Sequence, residues 1–125
     1  MKTKRLLVGL ALLIVFICSQ CGKNTTVSDE LIGIWKTASR KYEGCFFEFR
    51  TNTITIGPQE GEPSTFAITN IKRKKESNEE WTLYTIFYVA QGEEYEFPLY
   101  FLLEKGGVIR FKNQQDIVWT RESRE

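Results

Sequence analysis

Residues 80–103 read EWTLYTIFYVAQGEEYEFPLYFLL. Two runs rich in Trp, Tyr, Phe, Ile and Val flank Gln91-Gly92-Glu93. Aromatic and β-branched residues suit a pleated, half-buried surface, and a Gly-containing break between two such runs reads as a hairpin. The spacing predicts strands over 80–90 and 94–103. Because side chains alternate along a strand, Trp81, Leu83, Phe87 and Val89 share one face of the first, and Tyr84, Ile86 and Tyr88 the other. In the second strand Tyr95, Phe97, Leu99, Phe101 and Leu103 share a face. A strand with one face in water is polar on that side. Here the second face is also largely apolar, so it is either covered or a contact surface. Pro98 cannot donate to a ladder, which predicts an edge or a bulge at that point.

Outward from this hairpin the same texture continues. Strands are predicted over 33–39, 45–50, 53–56 and 65–73 upstream, and over 108–112 and 117–121 downstream. In the second of these Cys45, Phe47 and Phe49 alternate with Phe46, Glu48 and Arg50. Thr51-Asn52 reads as a short turn, 57–63 as a Gly/Pro loop, Gly106-Gly107 as a two-residue hairpin and 113–116 as a polar loop. Ser28-Asp29-Glu30-Leu31 fits one helical turn, with Ser28 as N-cap and Leu31 packing inward. No stretch of helical period and length separates the strands, so βαβ units are excluded. About eight strands at spacings of roughly 8–12 residues predict a sandwich or barrel. The expected fold class is all-β, a small antiparallel up-and-down β-barrel or strongly curved meander of about eight strands.

A length of 125 residues allows one domain. With 17 Lys+Arg against 16 Asp+Glu the net charge is +1, and no basic excess argues for nucleic acid. The chain contains no His, which removes the usual general base and the commonest metal ligand. Glu94, Glu96 and Glu104 are candidates for a carboxylate pair, but their alternation with aromatics reads as the solvated face of a strand. Lys72-Arg73-Lys74-Lys75 runs straight into Glu76-Ser77-Asn78-Glu79-Glu80, a sign change that suits a soluble hairpin tip. There is no phosphate-binding Gly loop and no nucleophile elbow. The expectation is a non-enzymatic protein with no metal and no cofactor.

The N-terminus has a different character. Lys2, Lys4 and Arg5 precede an apolar run over 6–17. As a helix that run is about 18 Å long, short of the roughly 20 residues a membrane span needs. A positive flank before a short apolar core is the pattern of an export signal. The following Cys18-Ser19-Gln20-Cys21-Gly22 resembles the lipobox of bacterial lipoproteins, with Gln20 where a small residue is usual. In that family the Cys is diacylated and becomes the new N-terminus. Cys21 rather than Cys18 is the expected lipidation site, because it stands at the border of apolar and polar sequence. The resemblance implies a signal peptide over 1–20, a lipid-anchored polar tether over 21–29 and a domain over 30–125. It places the protein in the cell envelope, on the outer membrane facing the periplasm where there are two membranes. Without Lys2, Lys4 and Arg5 the 17 cations fall to 14 against 16 acids, a net of −2. If Cys21 carries lipid, Cys45 is alone and reads as a buried thiol; if it does not, a Cys21–Cys45 disulfide would close a 25-residue loop.

Leu31-Ile32-Gly33-Ile34-Trp35-Lys36 resembles the Gly-x-Trp opening of lipocalin-like and fatty-acid-binding domains. That resemblance implies that Gly33 bends the chain into the barrel, that Trp35 plugs its closed end, and that Arg121 of Trp119-Thr120-Arg121 packs over the Trp35 ring. It also implies a small apolar ligand in a cavity lined by Trp81, Phe87, Phe97 and Phe101, with Tyr84 as a further contact. The alternative is a protein–protein interaction module with a filled barrel, its aromatic second face turned to an envelope partner.

Overall fold

The computed structural model describes residues 24–75 and 78–122. The expected signal peptide and the lipidation site Cys21 lie outside them. A 3-10 turn over Asp29–Leu31 leads into eight strands: β1 Gly33–Thr37, β2 Phe46–Phe49, β3 Thr53–Gly57, β4 Ser64–Lys74, β5 Thr82–Ala90, β6 Glu93–Leu102, β7 Val108–Phe111 and β8 Gln114–Arg121. Each pairs antiparallel with the next, and β8 pairs with β1, so the sheet closes as an eight-stranded up-and-down barrel. The closing register sets Trp35 opposite Arg121, Lys36 opposite Thr120 and Thr37 opposite Trp119.

Alternation places one side chain in two inside. Trp35, Phe47, Phe49, Ile54, Ile68, Ile71, Tyr84, Ile86, Leu99, Phe101, Ile109, Ile117 and Trp119 form the core. Cys45 is half-buried against it and has no disulfide partner among the described residues. Closure removes every sheet edge, so no row of backbone donors is left open.

Several boundaries differ from the sequence reading. β1 stops at Thr37, and a second 3-10 turn over Arg40–Tyr42 follows, which brings the Tyr42 ring to 5.6 Å from Trp119. β8 starts at Gln114, inside the stretch expected to be a loop. Phe111 pairs with Gln114 across a two-residue turn, and the Tyr42 hydroxyl donates to Gln114 Oε1 at 2.6 Å. Gly106-Gly107 is not a two-residue hairpin; five residues, 103–107, join Leu102 to Val108. Gly107 is required because a Cβ there would stand 3.1 Å from Trp35 Cη2 and 3.1 Å from Phe101 Cε2, at a φ of +108°. The Gln91-Gly92 turn is as expected, with both residues at positive φ, the conformation a tight hairpin needs.

Pro98 is neither at an edge nor at a bulge. It pairs with Thr85, and on its other side its carbonyl accepts from Lys112 N at 3.2 Å, where β7 has already ended. The missing donor therefore falls beyond the last residue of the neighbouring ladder. The irregular registers lie elsewhere, between Ile68 and Asn70 on β4 and between Ile109 and Phe111 on β7.

Candidate functional site

At one end the barrel is plugged. Val27 and Leu31 are buried beneath the turn over Asp29–Leu31, and Val27 N donates to Thr51 O at 2.8 Å. Trp35 is fully buried, and its Nε1 donates to Leu31 O at 2.9 Å. The Arg121 guanidinium lies 5.0 Å from the centre of the Trp35 ring and donates through Nη2 to Glu30 O. Gly33 adopts a φ of +137°, and a Cβ there would stand 3.2 Å from Arg121 Cδ. Gly33, Trp35 and Arg121 thus meet at one place, and the glycine serves both the bend and the passage of the arginine. The Tyr84 hydroxyl donates to Glu30 Oε1 at 2.6 Å and accepts from Arg73 Nε at 3.3 Å. Burial, followed by this bond to Glu30, holds the Tyr84 hydroxyl protonated beyond the ordinary tyrosine range. The sequence reading missed this link because Glu30 and Tyr84 stand 54 residues apart with no shared motif.

The five expected contact residues divide between the two sides of the wall. Tyr84, Phe97 and Phe101 point inward. Trp81 and Phe87 belong to the opposite phase of β5 from the buried Thr82, Tyr84 and Ile86, so they lie on the outer wall. Trp81, Phe87, Phe97 and Phe101 therefore do not line one cavity. Inside, the Phe47 ring lies 6.3 Å from Trp35, 5.6 Å from Phe49, 5.6 Å from Phe97, 5.5 Å from Phe111 and 5.1 Å from Trp119. Trp119 Nε1 is buried among these rings and has no hydrogen-bond partner among the described residues.

Two clefts bear on function, one at the open mouth of the barrel, where Ile56, Phe66 and Tyr88 lie in the inward phase, and one on the outer wall. The first, about 280 Å³, opens at the rim opposite the plug and is walled by Ile56, Pro58, Phe66, Tyr88 and Tyr95 among others. Tyr88 stands 5.2 Å from Phe66 and stacks on Tyr95 at 5.7 Å. Burial, then the neighbouring Tyr95, raises the pKa of Tyr88. The other, about 400 Å³, crosses the outer wall between Glu79, Glu80, Trp81, Tyr100, Arg110 and Gln115. Of the carboxylates singled out from the sequence, Glu94 accepts from Thr69 Oγ1 at 3.1 Å and lies on the outer surface with Glu96. Among the described residues no three His, Cys, Asp or Glu side chains gather as a metal site.

No protein family, characterised protein or solved structure matches the chain.

Proposed function

We propose that the chain is a non-enzymatic binding module of the bacterial cell envelope, held to a membrane by acyl chains on Cys21. In this reading the barrel is a filled scaffold and the outer surface meets the partner. One observation carries it: the Phe47 ring is packed by five rings drawn from β1, β2, β6, β7 and β8. Side chains from opposite walls meet there, in the volume an enclosed apolar ligand would need. The outer wall, by contrast, carries Trp81, Leu83, Phe87 and Tyr100 half-buried and Val89 exposed, more apolar surface than an isolated strand face in water requires.

A second reading, a small apolar ligand, is favoured by the rim cleft with its Phe66, Tyr88 and Tyr95 rings. Titration with a dansylated eleven-carbon fatty acid tests both. The filled scaffold predicts no saturable one-to-one binding. Saturable binding retained in Tyr88→Ala overturns the proposal, because the probe then occupies the lumen. Saturable binding lost in Tyr88→Ala puts the second reading in its place.

A further inference from the structure

The cleft across β5 to β8 is built differently from the rest of the outer wall. Arg110 sits at the register shift of β7, and such irregularities turn a side chain out of its regular direction. Its guanidinium carbon lies 5.4 Å from the centre of the Trp81 ring, reaching across the strand that carries Tyr100. Among the described residues one hydrogen bond holds the head group, from Nη1 to the backbone carbonyl of Gln115 at 3.0 Å, and Arg110 Nε is buried with no acceptor. Glu79 and Glu80 stand at the cleft wall, and among the described residues neither forms an ion pair with Arg110.

That wall selects by chemistry. Two carboxylates repel an anionic ligand, and the guanidinium repels a cationic one. An apolar ligand would strip water from Glu79, Glu80, Arg110 and Gln115 and return no hydrogen bond, a costly exchange. A neutral pyranose fits both halves. It has an apolar face of axial C–H groups to set against the Tyr100 ring and the indole of the Trp81–Arg110 stack, and a girdle of hydroxyls that donate to carboxylates and accept from guanidinium and amide. Planar side chains with paired donors or acceptors suit vicinal hydroxyls as bidentate partners. The volume of about 400 Å³ accommodates two to three sugar rings lying along the wall.

We infer that this cleft is a binding subsite for a neutral oligosaccharide, with Tyr100 and the Arg110-backed Trp81 as its apolar wall and Arg110, Glu79 and Glu80 as the hydroxyl partners. The inference rests on the reading that recognition takes place on the outer wall. It names the partner chemistry at one part of that wall.

The tryptophans make the test direct. Trp35 and Trp119 are buried in the barrel and Trp81 is at the surface, so a sugar stacked in the cleft perturbs only Trp81 emission. The folded protein is titrated with chitotriose, with cellotriose and, as an anion control, with inorganic phosphate. The expected result is a saturable emission change with at least one trisaccharide and none with phosphate. By calorimetry, where Trp81 emission is no longer needed, affinity for that sugar falls at least tenfold in Trp81→Ala and in Arg110→Met. Circular dichroism of both variants keeps the barrel signature. No saturable response to either trisaccharide overturns the inference, as does a response to phosphate alone. Calorimetric binding undiminished in both variants also overturns it. A fatty acid entering the lumen would sink the filled scaffold without touching this titration, so the two failures are separable.

Discussion

Trp35 is sealed from solvent because three separated pieces of chain converge on it. The turn over Asp29–Leu31 takes its indole N–H, Arg121 covers its face, and Gly107 leaves room for its far edge. Truncating a buried aromatic costs about 3–5 kcal/mol, a large fraction of the stability of a domain this size. Trp35→Ala is expected to reach that range in urea denaturation, with an unchanged slope if the unfolded state is unaffected. Arg121→Ala loses a charge-assisted bond to Glu30 O and the ring contact, worth about 1.5–3 kcal/mol together. The two changes share a contact, so the double variant departs from additivity by about 0.5–3 kcal/mol. Strict additivity would remove the arginine-over-indole contact as an element of closure. Gly33→Ala asks for a φ of +137° with a side chain present and crowds Arg121 Cδ; such a strained site costs about 1–3 kcal/mol.

At the scale of elements, the plug and the barrel are joined through Tyr84. Its raised pKa has a definite consequence for alkaline stability. A group whose folded pKa exceeds its unfolded value contributes stability that is complete below the unfolded pKa, here the ordinary tyrosine value of 10.0. That contribution is lost as pH rises through the folded value. Denaturation midpoints are therefore expected to hold through neutral pH and fall above about pH 10, with a slope bounded at about 1.4 kcal/mol per pH unit for each such tyrosine. Tyr84→Phe flattens that fall without abolishing it, since Tyr88 is raised as well. At neutral pH the same variant loses the bond to Glu30, at a cost of about 1–2 kcal/mol. An alkaline profile identical in wild type and Tyr84→Phe would place the titration elsewhere.

The strands themselves were largely legible, and the reasons for the misses are physical. Glu48 and Arg50 mark the outward phase of residues 45–50, so the inward phase of β2, Phe47 and Phe49, can be read directly even though Phe46 shares the outward phase. β5 offers aromatics in both phases, and Trp81 and Phe87 gave no signal that they, rather than Tyr84, face outward. The phase is fixed instead by register with β4 and β6, a long-range condition. Gln114, Gln115 and Asp116 look like a loop because they are polar; they are strand because β8 folds straight back on β7 through a two-residue turn that sets Gln114 opposite Phe111. That Gly33, Trp35 and Arg121 meet is legible because all three lie in two short motifs at the ends of the domain. The cleft at Arg110 was missed, since nothing in Val108-Ile109-Arg110-Phe111 announces a register shift.

For the whole molecule, up-and-down topology sorts the connections into two sets. The plug, the 103–107 loop and the end of β8 lie together, as the Gly107–Trp35 approach and the Arg121–Glu30 bond require. The Gln91-Gly92 turn is at the other end of β5 and β6, opposite them. A lipid on Cys21 would be separated from Val27 at the plug by six residues, which span at most about 20 Å fully extended. The anchor therefore predicts an orientation: the plugged end toward the bilayer and the Gln91-Gly92 turn away from it. Mass spectrometry of the mature protein is expected to find a diacylated Cys21 as the first residue. Nitroxide labels on Lys105→Cys and Gln91→Cys, read with lipid-phase and aqueous relaxation agents on reconstituted vesicles, then give the tilt. The Lys105 label is expected to lie nearer the membrane by roughly the length of a ten-residue strand, about 33 Å, less the shortening that strand tilt imposes. An unmodified N-terminus would remove the anchor, and equal label depths with an acylated Cys21 would mean that the barrel lies on its side, its outer wall against the lipid instead of its plug.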